Sequence, residues 1–315
     1  MGDPEKKIDF SPTQKTLIVV AGPTAVGKTN LAIKLARYYN SSILSADSRQ
    51  FYKEMSIGTA KPTPDELAQA KHHFINSHSI TEEFNVGDFE KQGLKLLDEL
   101  FTDNSIAILA GGSGLYIKAI CEGFDELPPV DINIREHLNS AYQQNGLIWL
   151  QEQLQIADPE YYSQVDINNP QRIIRALEVT KATGKPFSAY RTALVRQRHF
   201  NIIKIGLNLP RELLYHQINQ RVNQMVNQGL INEVQSLLPY RHLNSLNTVG
   251  YKELFEYLDG KVNLDDAIAL IKQNTRRFAK RQLTWFNKDK DFAWFTPTQV
   301  PQIITYIDAL LVPAK

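Results

Sequence analysis

The octapeptide Gly22-Pro23-Thr24-Ala25-Val26-Gly27-Lys28-Thr29 constrains this chain more than any other feature. It fits the pattern G-x-x-x-x-G-K-[ST] in the setting that pattern needs. The β-branched, apolar run Thr16–Ala21 precedes it, and the helix-period residues Leu31, Leu35 and Ala36 follow it. The glycines let the backbone wrap, so that successive N–H groups and a helix N-terminus face one anion. Lys28 adds a point charge for the terminal phosphate, and the Thr29 hydroxyl is placed to hold Mg²⁺. The alternative is an ordinary glycine-rich turn between strand and helix; motif and context together favour the phosphate-binding loop.

Further strand candidates are Ser42–Ala46, ending at Asp47, and Ile106–Ala110, before Gly111. Phe89–Phe101 carries Leu94, Leu97, Leu100 and Phe101 at amphipathic helical spacing. Strands alternating with helices imply a parallel sheet with ligand sites at the carboxyl ends of its strands. Leu127-Pro128-Pro129 breaks the alternation. From Asp131 to about Gly184 only helical segments appear, one carrying Ile134, Leu138 and Tyr142, another Leu147, Leu150 and Leu154. The clearest has Asn169 as N-cap, Pro170 at the first helical position, Ile173, Ile174 and Leu177 inward, and Gly184 as a stop. Ile202–Leu207 then returns to the sheet. Arg211–Leu238 reads as a long helical stretch bent near Gly229, and Asp265–Phe286 as a further helix. The predicted fold is α/β, a P-loop parallel-sheet core with an inserted small all-helical domain. Residues 1–14 form a tail, 15–127 and 200–315 the core with its C-terminal helices, and 128–199 the insertion.

The chain has 315 residues, 43% hydrophobic and 22% charged, which excludes a wholly disordered or fibrous protein. A lone cysteine, Cys121, excludes an intramolecular disulfide and a Cys-rich zinc site. Met1–Lys15 is polar and lacks the apolar centre of a secretory signal, and Lys6 stands where a myristoylation motif needs Ser or Thr. Apolar runs such as Leu17–Ala21 are too short to span a bilayer. A soluble cytoplasmic protein without membrane contact is expected. Between Lys272 and Lys290 seven basic residues face a single acid, Asp289; this local +6 within a net charge of +1 leaves the remaining chain at −5. Such a segment is either a localised polyanion contact or a solvated charged helix.

Asp47, at a strand end, could accept a proton from an attacking nucleophile or approach a metal through water; equally it could cap a turn. Gly111-Gly112-Ser113-Gly114 could bring N–H groups and a hydroxyl to the same anion, or form a tight turn with Ser113 as N-cap. His72, His73 and His78 lack metal-binding spacing and read as a surface loop. Trp285 and Phe286 could stack on bases, but at helical spacing with Phe278 they read as a buried helix face. Arg172 and Arg175 share a helix face, with Glu178 in reach of Arg175 as a structural ion pair.

Several blocks resemble the tRNA dimethylallyltransferase family, bacterial type. They are Gly22–Thr29, Asp47-Ser48-Arg49-Gln50-Phe51-Tyr52, Ile57-Gly58-Thr59-Ala60-Lys61-Pro62 and Gly111-Gly112-Ser113-Gly114-Leu115-Tyr116. Asn169-Pro170-Gln171-Arg172, Val249-Gly250-Tyr251 and Lys280-Arg281-Gln282-Leu283-Thr284-Trp285 complete the set, in family order. Family members transfer the dimethylallyl group of dimethylallyl diphosphate to the exocyclic amine of the adenine immediately 3′ of the tRNA anticodon. The resemblance implies that the loop holds an isoprenoid diphosphate, that Asp47 is the general base, and that Ser113, where Thr is frequent, aims its hydroxyl at the leaving diphosphate. Lys28 and Arg221 would neutralise that leaving group, with Mg²⁺ as cofactor and Thr29 as its ligand.

By the same resemblance, the tRNA anticodon stem-loop faces Asp47, Ser48, Arg49, Gln50, Ser113 and Arg135. It also faces Gln171, Arg172, Ile173, Ile174 and Arg175, then Asn247, Thr248, Val249, Gly250, Tyr251 and Lys252. The last such segment is Lys280, Arg281, Gln282, Leu283, Thr284, Trp285, Phe286 and Asn287, Asn287 standing where many members have Arg. A monomer is expected. The competing readings are a P-loop small-molecule or nucleotide kinase, which leaves the helical insertion and basic segment unexplained, and a non-catalytic tRNA-binding protein with a relict loop.

Overall fold

In the computed structural model, which describes residues 14–125, 127–192 and 195–311, the first apolar run is strand β1 (Thr16–Ala21), buried along its whole length. The other strands are β2 (Ile43–Ser45), β3 (His72–His73), β4 (Ile106–Gly111), β5 (Asn201–Leu207) and β6 (Ala293–Phe295). All neighbours pair in parallel, in the order β3-β2-β4-β1-β5-β6. Continuous apolar runs suit a parallel sheet covered on both faces. Successive β1 side chains enter opposite cores, Leu17, Val19 and Ala21 one, Ile18 and Val20 the other. The chain leaves β1, builds β2 one position further out, and later inserts β4 between them. The carboxyl ends of β2, β4 and β1 therefore lie side by side, with Ser45 opposite Ala110 and Ala21 opposite Gly111.

Helices α1 (Lys28–Tyr38), α2 (Pro64–Gln69), α3 (Val86–Asp103) and α4 (Gly114–Glu122) connect these strands. The described residues through Glu122 and from Gln197 form one compact unit, and those from Gly123 through Arg196 the other. The second unit thus begins and ends a few residues before the expected 128–199. The expected tail, residues 1–14, lies outside the described residues except for Gln14.

The second unit is helical: α5 (Ile132–Ala157), α6 (Pro159–Gln164) and α7 (Pro170–Thr183). Gly146, at φ 78°, kinks α5 between its two apolar segments. Asn169 caps α7 by accepting from the Arg172 N–H, and Gly184 ends it in the left-handed region. Ile173 and Ile174 are buried in this unit's core beside Leu138, Leu150 and Leu154. They hold the helix in place and offer no surface to tRNA, which corrects the expectation for these two. Glu178, 1% exposed, pairs with Arg175 as expected and also accepts from Arg135 at 2.6 and 3.1 Å.

The remaining helices are α8 (Arg211–Asn227), α9 (Leu230–Ser236), α10 (Tyr251–Leu258), α11 (Leu264–Phe286) and α12 (Val300–Leu311). Gly229, at φ 100°, makes the break between α8 and α9. Two sequence expectations fail. His72 and His73 form the edge strand β3 against Ile43 and Leu44, and His78 stacks on Phe84 at 3.8 Å between ring centroids. Of these three aromatic residues of α11, Phe286 is buried whereas Phe278 and Trp285 are exposed, because the core-facing stripe runs through Ala267, Ile271, Ala279, Gln282 and Phe286. Among the described residues no helix is long and apolar enough to cross a membrane.

Candidate active site

Gly27 initiates α1 at φ 99°, a left-handed conformation that costs a residue with a Cβ, and turns the loop so that the helix start faces the carboxyl edge of the sheet. Lys28 Nζ donates to the carbonyls of Gly22 at 3.0 Å and Pro23 at 2.7 Å. Burial pulls its pKa down to about 7, with Asp47 opposing and the charge of Arg221 adding to the effect. Burial also lowers the pKa of the Arg221 guanidinium, a cation reaching the site from α8.

Beyond β2, the Ala46 N–H donates to Ala110 at 2.8 Å, and the Ser113 N–H donates back to Ala46 at 3.2 Å. This crossing explains Gly111: a Cβ there would lie 2.1 Å from the Ala46 carbonyl oxygen. The sheet edge thus delivers Asp47 and Ser113 to one place. Asp47 Oδ1 accepts from the Arg49 N–H at 3.0 Å, so it does cap its own turn. Burial nonetheless raises its carboxyl pKa, against the Arg49 N–H bond and the Lys28 charge. Ser113 stands immediately before α4, where its carbonyl accepts from the N–H groups of Tyr116 and Ile117, and its Oγ accepts from the Ser48 N–H at 2.9 Å.

A cavity of about 490 Å³ opens here. Of the expected residues it gathers Thr24, Asp47, Ser48, Arg49, Ser113, Arg221, Asn247, Thr248, Val249, Gly250, Lys252 and Arg281. Gln50, Tyr251 and Gln282 serve the walls instead. Gln50 Nε2 donates to the carbonyls of Thr59 and Ala60, fixing a loop that lines the cavity. Tyr251 is fully buried and donates to Glu233 Oε1 at 2.7 Å. Phe286 lies in the core, whereas Lys280, Thr284, Trp285 and Asn287 lie on the exposed side of α11 and Leu283 is half-buried. Arg135, Gln171, Arg172 and Arg175 are at least partly exposed on the helical unit.

Sequence reasoning missed the apolar backing of Ile218, Val222, Met225 and Leu230, which looks like any other helix core face. It also missed Glu233. That carboxylate accepts from the N–H groups of Ser56, Ile57 and Gly58 at 2.7 to 3.0 Å as well as from Tyr251. Only the glycine in Ile57-Gly58-Thr59 hinted at such a close approach. Thr29, the second residue of α1, and Asp47, past the end of β2, each carry a half-buried oxygen donor. This hard oxygen donor set suits a divalent cation that takes most of its ligands from phosphate oxygens. Among the described residues, no three His, Cys, Asp or Glu side chains cluster to cage a metal.

The family model described as IPP transferase matches residues 50–289. The chain belongs to the IPP transferase family. Among relatives in this family, the tRNA dimethylallyltransferase of Christiangramia forsetii is 55% identical over 279 residues, 89% of this chain and 92% of its own length. The tRNA dimethylallyltransferase 1 of Bacteroides thetaiotaomicron is 48% identical over 93% of this chain and 95% of its own. Two solved structures share the fold. The tRNA isopentenylpyrophosphate transferase of Bacillus halodurans is 37% identical with a TM-score of 0.70, covering 95% of this chain and 97% of that one. A eukaryotic dimethylallyltransferase acting on tRNA is 25% identical with a TM-score of 0.76, covering 96% and 81%. The six-stranded parallel sheet with its helices is the fold of these tRNA isopentenyltransferase structures.

Proposed function

We propose that this chain transfers the dimethylallyl group from dimethylallyl diphosphate to the exocyclic N6 amine of the adenine 3′-adjacent to the anticodon in tRNA, releasing diphosphate. The observation that carries the reading is one cavity lined by both Asp47 and Arg221, with both charges acting on Lys28. A base and an anion-neutralising pair are thus adjacent, as a displacement at an allylic carbon requires. The names of the similar proteins support the same activity.

The adenine amine is a weak nucleophile because its lone pair is delocalised into the ring. It attacks C1 of the donor, the C–N bond forms, and the C–O bond to diphosphate breaks. Asp47 takes the amine proton, and burial makes its carboxylate a stronger base than one in water. Lys28, Arg221 and the N–H groups at the start of α1 stabilise charge on the departing diphosphate. Ser113 directs its hydroxyl to the leaving oxygen while holding the Asp47 turn through Ser48. Mg²⁺, with Thr29 as protein ligand, would neutralise diphosphate charge. Ile218, Val222, Met225 and Leu230 back the space for the five-carbon chain. The adenine enters unstacked, which an anticodon loop permits more cheaply than a duplex. Arg277, Lys280 and Arg281, exposed on α11, are the phosphate-backbone contacts of this reading, and Arg172 adds a cation on the helical unit.

The reading includes a cytoplasmic monomer, the latter checked by sedimentation. Its decisive test is to incubate the protein with unmodified tRNA, Mg²⁺ and either dimethylallyl diphosphate or ATP, then weigh the tRNA. A dimethylallyl mass increase with the diphosphate alone is expected. Steady tRNA-independent ATP hydrolysis without that increase would favour a kinase.

A further inference from the structure

Gln282 is 7% exposed, and its side-chain amide spans two loops remote from it in sequence. Oε1 accepts from the Thr24 N–H at 2.8 Å, and Nε2 donates to the Gly112 carbonyl at 2.8 Å. The amide orientation is forced, since a backbone N–H can only donate and a carbonyl can only accept. Gly112 is fitted to this contact. A Cβ there would lie 2.3 Å from Gln282 Nε2 and 3.5 Å from Lys28 Nζ. Three residues further along α11, Trp285 presses on Gly114 in the same way, where a Cβ would meet its ring at 2.2 Å. Ser113 therefore sits between two glycines that are both held by α11.

We infer that Gln282 is a positioning residue of the transfer site, pinning the diphosphate loop at Thr24 to the Ser113 loop at Gly112. The inference rests on the donor reading above and deepens it. Transition-state stabilisation of a leaving diphosphate depends on donors already fixed where charge will develop. Lys28 is tethered to the carbonyls of Gly22 and Pro23, immediately before Thr24, so a shift at Thr24 moves the ammonium too. The same contacts argue against an RNA-binding role for Gln282. Its amide is buried and engaged at both ends, whereas its neighbours Lys280 and Arg281 are exposed.

The test compares wild type, Gln282→Met, Gly112→Ala and the double variant. Calorimetry measures binding of inorganic diphosphate with Mg²⁺, and fluorescence anisotropy measures binding of an anticodon stem-loop. Gly112→Ala keeps Gln282 but displaces its amide, so it serves also if Gln282→Met does not fold. Each single variant should bind diphosphate about 10-fold or more weakly, in the range usual for outer-shell partners, with stem-loop affinity within about twofold. The double variant should be little worse than the weaker single one, because both changes break one contact. Unchanged diphosphate affinity, additive losses, or an equal fall in stem-loop affinity would overturn the inference while leaving the donor reading standing. Wild-type protein that binds no diphosphate would sink both.

Discussion

The Ser48 backbone N–H donates to the Ser113 hydroxyl at 2.9 Å, joining the turn that carries Asp47 to the glycine loop after β4. Two loops that are distant in sequence, one after β2 and one after β4, thereby share one hydrogen bond. On the proposed function, this bond ties the turn of the base to the hydroxyl aimed at the leaving group.

Asp47→Asn should lower single-turnover transfer by ~10²–10⁴-fold with little change in donor or tRNA affinity, as for loss of a general base. Burial raises the Asp47 pKa, so wild-type activity should fall with decreasing pH through a value above the ordinary carboxylate range. That acid limb should be absent from the residual activity of the variant. Ser113→Ala should also slow the step and Ser113→Thr should restore it, since only the hydroxyl satisfies the Ser48 N–H. Parent-rate transfer by Asp47→Asn under saturation would remove it from the chemistry.

Lys28 titrates near 7 in the folded chain, well below its usual value of 10.5. Between those values the unfolded chain holds the proton and the folded chain does not, so Lys28 makes stability rise with pH across that window. Below about 7 both states are protonated, and the burial cost is fully present. Denaturant midpoints measured from about pH 7 to about pH 9 should climb more steeply for wild type than for Lys28→Met. A bound diphosphate favours the charged form, so binding above about pH 7 should take up a proton. Calorimetry in two buffers of different ionisation enthalpy reads that uptake, which Lys28→Met should abolish along with most of the affinity.

Neutralising Arg277 and Arg281 should weaken tRNA binding and flatten its salt dependence, by a slope of roughly 1 per lost phosphate contact. Diphosphate binding without tRNA should be unchanged. Titrations at several salt concentrations decide this, and an unaltered slope would return α11 to a merely solvated helix.

Glu233→Ala should destabilise the fold by about 1–3 kcal/mol, because the Tyr251 hydroxyl and three backbone donors, two of them half-buried, lose their acceptor. Tyr251→Phe should cost less, about 1 kcal/mol, since Glu233 keeps its backbone partners. Gly58→Ala forces a Cβ to within 2.6 Å of the Tyr251 ring and should cost about 1–3 kcal/mol. Urea unfolding of the three variants would rank them.

By itself the sequence determined whatever depends on near neighbours. The phosphate loop between β1 and α1 was legible because eight consecutive residues set both its backbone path and its charge. The cap, proline and stop of α7 were legible for the same reason, and the break at Gly229 because only the backbone there had to change hand. Tertiary structure decided the rest. Asp47 and Ser113 meet because β4 inserts between β1 and β2, and no local pattern encodes that strand order. Ile173 and Ile174 lie in a core although the resemblance led to the expectation that they face tRNA, because the apolar stripe of α7 turns both inward while Gln171 and Arg172 stay exposed. Gln282 and Glu233 sit in unremarkable helical sequence; their roles exist only because distant backbone groups arrive beside them. The physical reason is the same in each case. Backbone conformation is set over a few residues, whereas a buried hydrogen bond needs partners that packing alone brings together.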